Sequence, residues 1–547
     1  MDSVRSRPRA LLASLAVLLC AVLGGFVLAG PASAHATLVT SSPVDGARLK
    51  AAPSRVTITF DEAVAIGGGA GYLHVTDQTG RRVETGSAFH PDGDGTTIAV
   101  ALKSGLGDGT YTESFRVISA DSHPVAGVVR FVVGNGVLSV TSVAGATVNA
   151  LTSAAFDAVR WISFAGFALL GGSWLLLTVW PQGRDERRAR RIVWLGWIAA
   201  VVGAAGELLL QGPYVAGLGM SGLTNWSLLD GTLHSDFGQA QCVRLLLLGF
   251  GAFLLAWVLE GVDRERSRLD DVAWPLAAAI ALTFAVVGHP QTTPPRALSV
   301  VLDALHVLAM AAWVGGLVML AVALLPRRAE EEEAATLPVF SRVAFGSVCV
   351  LAVTGSYAAW HGIGSVHAIL TTQYGRLVAL KVALFVGLIA LGYLSRRAVA
   401  RRFSEQLRRG VLVEIVLAGV VLAASAVLVA QPRGPEALAA QYQRPVSAAA
   451  PLGGGRTAVV TVDPGKHGVV AVSVQLSAGT APQSVTATVS LPSQQIGPIP
   501  IALTASAPNL WAGSGQTLPV AGKWVFQLVV KTSEFDATTT QAIVRLH

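Results

Sequence analysis

Eight apolar segments between residues 161 and 430 constrain the fold of this 547-residue chain more than any other feature. A transmembrane helix needs about 20 predominantly apolar residues, and the segments are close to that length or longer. Hydrophobic residues make up 52% of the chain and charged residues only 13%, which is typical of a polytopic membrane protein. We therefore predict an all-α bundle of about eight membrane helices within residues 151–430. The segments cover 161–180, 192–212, 243–260, 272–288, 298–325, 339–360, 377–394 and 411–430.

The distribution of arginine predicts how these helices are oriented. The loops after the first, third, fifth and seventh segments hold 16 arginines and no lysine, whereas the loops after the second, fourth and sixth hold one arginine, Arg296. Positively charged residues accumulate on the cytoplasmic side of membrane proteins. The net charge of +7 therefore indicates membrane topology and not nucleic-acid binding. We predict a multi-pass protein of the cytoplasmic membrane, surrounded by the lipid bilayer, with both ends of the mature chain outside.

Residues 1–34 have the three parts of a secretory signal peptide. Three arginines precede an apolar run over 11–28, and Ala32-Ser33-Ala34 forms an A-x-A cleavage signal. Cleavage after Ala34 would make His35 the first residue of the mature protein. A terminal histidine presents two nitrogen atoms, the α-amine and the ring Nδ1, that chelate one metal ion.

Two stretches outside the bundle alternate in hydrophobicity as β-strands do. Residues 35–135 contain several such runs, separated by turns rich in glycine and aspartate, which favours a small β-sandwich. Residues 456–547 alternate in the same way and predict a second exported β-sandwich. Linkers of small residues at 136–150 and of Pro, Gly and Ala at 431–455 separate both from the bundle. The predicted fold is therefore mixed and multidomain: an exported all-β sandwich, an all-α membrane bundle and a second exported sandwich.

The first sandwich carries candidate metal ligands at Asp121 and His123. On an extended backbone, residues i and i+2 point to the same side, so both side chains would reach one ion. With His35 they supply three nitrogens and one carboxylate oxygen, a set that suits Cu(II). Residues 35–135 contain no Met and no Cys, so they offer no soft ligand for Cu(I). The D-x-H pair alone is more simply explained as a turn residue beside a packed histidine, but a histidine at the predicted mature terminus favours a metal site.

A second group of candidate ligands lies in the fifth apolar segment. Asp303, His306 and Met310 are spaced i, i+3 and i+7, so they share one face of a helix. Ionisable residues inside a membrane span are costly and usually face the bundle interior or a cavity. A carboxylate, an imidazole and a thioether in line would pass a copper ion along the helix. The alternative is a polar contact within the bundle, with Met310 filling space between helices.

Other polar residues of the bundle extend or limit this hypothesis. His289 and His361 lie at the predicted outer ends of their segments and are further candidates for the metal path. Buried opposite charges are expected to pair, so we predict an ion pair between Glu207 and Arg244. Lys381 is interpreted as an architectural charge. Cys242, Cys349, Glu414, His234, His367 and His467 are interpreted as structural or loop residues.

The exported sandwich resembles the copper-resistance protein CopC. The resemblance rests on His35-Ala-Thr-Leu, on Thr59-Phe60-Asp61-Glu62 and on Ser119-Ala-Asp121-Ser-His123-Pro. In that family the mature amino terminus and the D-x-H pair bind Cu(II), which implies these roles for His35, Asp121 and His123. The Met-rich Cu(I) segment of some members is absent from this sequence. Asp61 and Glu62 are expected to be solvated at a strand end.

Residues 151–430 resemble CopD, the membrane partner of CopC. The resemblance rests on the His306-to-Leu317 motif with its Trp313-x-Gly315-Gly316 core, and on Thr354-Gly355-x-Tyr357-x-x-Trp360. The whole chain resembles a CopC–CopD fusion, which implies copper uptake across the membrane. The stretch Gly522-Lys-Trp524-x-Phe526 resembles the exported β-sandwich of YtkA-like proteins.

The favoured hypothesis is a copper-binding transport protein and not an enzyme. It would capture Cu(II) outside the membrane, receive it from other extracytoplasmic copper carriers, and pass it to the membrane domain as Cu(I) or Cu(II). Copper buffering or sensing without transport is an alternative, as is a transmembrane redox protein with His289 and His306 as axial haem ligands. A copper site at a terminal histidine also serves oxidative cleavage of polysaccharides, but residues 35–135 lack an aromatic run that would form a sugar-binding face.

Overall fold

The computed structural model describes residues 36–547 apart from 37, 67–70, 121–123, 135–148, 261–262, 328, 401–403, 443–444, 478–481 and 508. The predicted signal peptide lies outside this part of the chain. An amino-terminal β-sandwich, a helical region and a carboxy-terminal β-rich region follow one another along the chain. The predicted fold class is therefore confirmed.

The amino-terminal sandwich consists of two sheets of mainly antiparallel strands that pack face to face. One sheet has the strand order β1-β3-β7-β6, and the other has the order β2-β9-β8-β4, with β5 also paired to β8. Side chains alternate between the two faces of each strand, and this alternation determines which face of the sheet packs into the core. In β3, Val56, Ile58 and Phe60 are buried, whereas the residues between them are more exposed. The strands are β1 Leu38–Ser42, β2 Ala47–Leu49, β3 Arg55–Phe60, β4 Val64–Ala65, β5 Tyr72–Thr76, β6 Glu84–Phe89, β7 Thr97–Leu102, β8 Gly109–Ser119 and β9 Pro124–Val133.

Glu113 is an exception to the apolar core of this sandwich. It lies between Tyr111 and Phe115 on the inward face of β8 and is completely buried. Burial, together with the nearby charge of Asp45, raises the pKa of the Glu113 carboxyl to about 9. The side chain is therefore a neutral carboxylic acid at neutral pH.

The helical region contains seven helices that are long and apolar enough to cross a membrane, counted over the described residues. The predicted segment 272–288 corresponds, among the described residues, to a shorter apolar helix, Val272–Ala285. The helices are α1 Ala150–Trp174, α2 Arg187–Ala216, α3 Trp226–His234, α4 Asp236–Glu260, α5 Asp263–Ala285, α6 Arg296–Met319, α7 Glu330–Ile363, α8 Val366–Thr371, α9 Gln373–Ala400, α10 Ser404–Val429 and α11 Gly434–Tyr442.

Helix α6 is the centre of the bundle. Of its most apolar window 72% is buried, a larger share than in any of the other six long helices. Small residues let it approach α1 closely: a side chain at Gly171 would collide with the backbone of Ala311, and one at Gly315 with the backbone of Ala168. The helix that carries the candidate membrane ligands is therefore held by direct backbone contact.

The carboxy-terminal region is a second two-sheet β structure. Its sheets have the strand orders β10-β11-β12-β16-β15 and β14-β13-β17-β18. Trp524 and Phe526 of β17 are completely buried at the centre of its core. The strands are β10 Val446–Gly453, β11 Arg456–Asp463, β12 Gly468–Leu476, β13 Ser484–Leu491, β14 Ile496–Ile501, β15 Thr504–Ala507, β16 Leu510–Leu518, β17 Gly522–Lys531 and β18 Ala537–Leu546.

Both β regions lie at the same end of the bundle, here called the sandwich-facing end. The buried Arg116 side chain of the first sandwich donates a hydrogen bond to the carbonyl oxygen of Val215, at the end of α2. Arg130 of the same sandwich forms an ion pair of 3.2 Å with Asp463 of the second. The two β regions therefore contact each other through this ion pair.

Candidate functional site

The candidate ligands of the exported site, His35, Asp121 and His123, lie outside the described residues. The segments that flank them converge on one strand connection. Leu38 of β1 pairs with Phe60 at the end of β3, and Val64 of β4 pairs with Ser119 at the end of β8. The described chain on either side of the predicted ligands therefore borders the connection between β3 and β4.

Glu62 lies within that connection and is not simply solvated, contrary to the expectation for a strand end. Its Oε1 accepts a hydrogen bond of 3.2 Å from the backbone N–H of Ala120, the residue before Asp121. The pairing of β4 with β8 causes this contact, since Val64 lies opposite Ser119. Sequence alone offers no signal for it, because the two residues are 58 positions apart.

The described histidines of the sandwich have structural partners. His74 Nδ1 lies 3.1 Å from Glu84 Oε1 and 2.6 Å from an Arg82 nitrogen, and its ring stacks on Tyr72. Burial, with the Arg82 charge, lowers the pKa of His74, and Glu84 only partly offsets this. His90 Nδ1 donates a hydrogen bond to the carbonyl oxygen of Thr97. Across the described part of the chain, no three His, Cys, Asp or Glu residues lie close enough to hold a metal ion.

All five candidate residues of the membrane path line one cavity of about 660 Å³. The cavity is lined by residues of α1, α2, α4, α5, α6, α7, α9 and α10. Aromatic and aliphatic residues form most of its apolar wall, and charged, histidine and other polar residues form the rest. The five residues are His289, Asp303, His306, Met310 and His361.

A hydrogen-bond relay fixes the tautomer of His306. The Thr354 hydroxyl donates its one proton to the carbonyl oxygen of Val350 at 2.7 Å. The same hydroxyl lies 2.7 Å from His306 Nδ1, so with its own proton on Val350 it accepts there from Nδ1–H. The lone pair of the neutral ring is therefore on Nε2. An imidazole held in this way by its other nitrogen is typical of metal ligands.

His361 has the same tautomer for a similar reason. Its Nδ1 lies 3.0 Å from the carbonyl oxygen of Tyr357, which can only accept. Nδ1 is therefore protonated and Nε2 carries the lone pair. The ring lies 4.4 Å from the ring of Tyr357, whose hydroxyl bonds to Ser299 at 2.8 Å.

The charged residues of the cavity wall have partners. The predicted ion pair is confirmed, since an Arg244 nitrogen lies 3.7 Å from Glu207 Oε2 and both side chains are almost fully buried. Gln241 donates a hydrogen bond of 2.6 Å to the same oxygen, and Arg244 also donates to Thr283. Asp303 and Lys381 both line the cavity, and their opposite charges attract each other.

Arg433 is a cavity residue that the sequence analysis did not single out. It is 2% exposed and donates hydrogen bonds to the carbonyl oxygen of His289 at 2.5 Å and to Thr293 Oγ1 at 2.7 Å. It precedes helix α11, which lies within the segment interpreted as a linker. A lone arginine between Pro432 and Pro435 is the only sequence signal for this role.

The cavity extends to the interface with the first sandwich. Phe156 and Tyr214 line it and also belong to a cluster of buried residues against which Ile118 of β8 packs. Ile118 is three residues before Asp121 in the chain. The strand that leads to the predicted copper ligands therefore rests on the cavity wall.

Comparison with known proteins identifies three family matches along the chain. Residues 38–134 match the CopC domain, residues 150–294 match the Copper resistance protein D-like N-terminal domain, and residues 334–428 match Copper resistance protein D. The copper transport protein CutJ of Bacillus subtilis (strain 168) is 27% identical over 416 residues, which are 74% of this chain and 75% of that protein.

Relatives of single domains match the first sandwich. Copper resistance protein C of Xanthomonas campestris pv. juglandis is 34% identical over 103 residues, 18% of this chain and 80% of that protein. The crystal structure of CopC from Methylosinus trichosporium OB3b is 26% identical and covers 20% of this chain and 100% of that chain, with a TM-score of 0.17.

Proposed function

Because this chain belongs to the copper-resistance CopC–CopD family, we propose that it takes up copper through the membrane in two steps. The exported sandwich captures Cu(II), and the membrane cavity then receives the ion and passes it inward. One observation carries the proposal: five candidate ligand residues from α6, α7 and the α5–α6 connection line a single cavity whose wall contacts the sandwich.

In the capture step, His35, Asp121 and His123 are the Cu(II) ligands. The strand pairings that bring both flanking segments to the β3–β4 connection support this role. Glu62 accepts a hydrogen bond from the backbone N–H of Ala120 and so holds the residue that precedes Asp121. The α-amine of His35 is a ligand only after cleavage at Ala34. A precursor with one extra residue before His35 should therefore lose tight Cu(II) binding, as measured by chelator competition.

In the transfer step, the ion passes from the end of β8 into the cavity. Arg116 and Ile118 hold this strand against the bundle at Val215 and Tyr214. Tethering donor and acceptor in one chain gives an effective concentration in the millimolar range for a short linker. A bound ion therefore reaches the cavity without diffusing through bulk solution.

In the membrane step, His306 Nε2 is the principal ligand. Asp303 lies one turn before it on α6 and Met310 one turn after, so the three follow the helix axis inward. His289 and His361 line the same cavity and complete the path. The arginine distribution predicts that the sandwich-facing end is outside, so an ion that enters the cavity from this end moves inward.

Copper accumulation in cells tests the proposal. We expect His35→Ala and His306→Ala to lose copper accumulation at equal membrane abundance, because each removes a ligand of one step. His367→Ala is the matched control, since His367 is exposed on α8 and lies outside the cavity. Wild-type accumulation by His306→Ala would overturn the proposal, and faster copper loss from preloaded wild-type cells would reverse the direction.

Haem-dependent electron transfer is a second candidate function. It is favoured by the common tautomer of His306 and His361, which places an Nε2 lone pair on each of two rings in one cavity. Absorption spectroscopy of the protein purified from haem-replete cells tests it. A Soret band that His306→Ala removes would support this function, and its absence would exclude it.

A further inference from the structure

We infer that the membrane cavity binds copper as Cu(I), whereas the exported site binds Cu(II). The inference rests on the proposed function, since it names the form of the ion that enters the cavity. Three features of the described residues carry it: the donor atoms of α6, the charges on the cavity wall, and the separation of sulfur from the exported site.

Two of the α6 residues that line the cavity, His306 and Met310, offer uncharged donor atoms that are borderline or soft. His306 offers Nε2, because Thr354 holds the proton on Nδ1. Met310 lies four residues further on α6, lines the cavity, and is the one sulfur-containing residue among the described lining residues. Thioether sulfur selects Cu(I), and imidazole accepts either oxidation state. A neutral His–Met pair therefore favours the monovalent ion.

The charges of the cavity wall disfavour a divalent ion. Among the described lining residues, Arg160, Arg244, Lys381 and Arg433 are cationic, whereas Glu207 and Asp303 are anionic. Glu207 pairs with Arg244, and Asp303 is attracted to Lys381; outside the lining, Asp157 pairs with Arg160 at 3.2 Å. No surplus negative charge is therefore present on the lining to balance a metal ion.

The charge of the ion itself strengthens this preference. The Born cost of moving an ion from water into a medium of low dielectric constant grows with the square of its charge, so it is about fourfold larger for Cu(II) than for Cu(I). Aromatic and aliphatic side chains form most of the wall. A dicarboxylate pocket would offset this cost, but both carboxylates of the described lining already interact with cations.

Transfer between the two sites then requires one electron for each ion. Residues 35–135 contain no sulfur atom, and Cys242 and Cys349 lie on membrane helices without lining the cavity. The electron donor is therefore external, and we assign it to the class of small thiols. The balanced step is two Cu(II) and two RSH giving two Cu(I), one RSSR and two protons.

Metal binding to the purified full-length protein tests the inference directly. Ag(I) is the probe, since it is a monovalent ion that needs no reductant. Loss of an outer-shell partner alone weakens metal binding by about 10–100-fold, so we expect Met310→Leu and His306→Ala to weaken Ag(I) binding by at least about tenfold. Met319→Leu is the matched control, because Met319 is also on α6 but is completely buried away from the cavity.

Electron paramagnetic resonance of Cu(II) supplies the second measurement. We expect one Cu(II) signal, which His123→Ala removes and Met310→Leu leaves unchanged. A Cu(II) signal that His306→Ala removes and His123→Ala retains would overturn the inference. Ag(I) affinity that Met310→Leu leaves unchanged would also overturn it.

Uptake by cells separates this inference from the proposed function. We expect Ag(I) accumulation to need His306 and Met310 but neither His35 nor added thiol, and Cu(II) accumulation to need His35 and a thiol. If copper accumulation needs His306 but Ag(I) neither enters nor competes, the Cu(I) inference fails while the proposed function stands. If His306→Ala accumulates copper as the wild type does, the proposed function fails.

Discussion

The relay from Val350 through Thr354 to His306 makes a specific prediction for Thr354→Val. Valine has nearly the same shape as threonine and removes only the hydroxyl that accepts the Nδ1 proton. The buried Nδ1–H then has no acceptor, so the ring moves its proton to Nε2, which faces the cavity. The nitrogen that we propose as the metal ligand thereby loses its lone pair.

The structure sets the size of this effect. Leaving a buried donor without a partner costs about 1–3 kcal/mol. In Thr354→Val, metal binding requires the tautomer with the proton on Nδ1, so the free energy of binding becomes less favourable by this amount. The corresponding loss of affinity is about 5–150-fold. This agrees with the range of about 10–100-fold for partners of metal-bound histidines.

Chelator competition with Ag(I) on the purified protein measures this loss. Thr354→Ser is the matched control, because it retains the hydroxyl and should retain nearly wild-type affinity. Nitrogen NMR of labelled histidine would report the tautomer shift without metal. Wild-type affinity in Thr354→Val, or equal losses in Thr354→Val and Thr354→Ser, would refute the reasoning.

Three further predictions concern the sandwich and the buried ion pair. The pKa of Glu113 is about 9 in the folded protein and 4.5 in the unfolded chain, so the folded state keeps a proton that the unfolded state loses. The free energy of unfolding therefore falls as the pH rises between these two values, by about 3 kcal/mol at pH 7. Glu113→Gln should therefore slow hydrogen exchange of the β8 amides at pH 7 but hardly at pH 5, and equal effects at both would contradict the assignment. Arg116→Ala removes the bond between sandwich and bundle, so copper uptake should fall at limiting copper while Cu(II) binding is unchanged; Arg55→Ala, at an exposed site, should change neither. Glu207→Gln leaves the buried Arg244 charge uncompensated at a cost of about 3–5 kcal/mol, which a lower unfolding temperature in detergent would reveal. An unchanged unfolding temperature would show that the remaining Arg244 contacts suffice.

Local patterns in the sequence were sufficient for the architecture. An apolar run of membrane length has one stable form in a bilayer, a helix, because every backbone polar group needs an internal partner. Alternation with a period of two likewise restricts an exported segment to strands with one buried face. The common face of Asp303, His306 and Met310 follows from helix geometry alone, and pairing of Glu207 with Arg244 follows from the cost of an isolated buried charge.

The exported copper site is still a prediction from sequence. His35, Asp121 and His123 lie outside the described residues, so their convergence rests on spacing, on the cleavage signal and on the CopC resemblance. The structure adds the strand pairings on either side and the unexpected contact of Glu62 with Ala120. The sequence alone gives no partner for a residue at a strand end such as Glu62. Only the pairing of β4 with β8 shows that the backbone of Ala120 lies beside it.

The sequence by itself determined that α6 has a polar face, and only the tertiary structure decided what that face meets. Thr354 is 48 residues from His306, and Arg433 is 144 residues from His289. These contacts depend on which helices pack together and on the rotation of each helix about its axis. Close packing at glycines and the burial of whole helices determine both. Periodicity describes one helix at a time. The tautomer of a ligand and the charge balance of a cavity are properties of several helices together, so they appear only once those helices are packed.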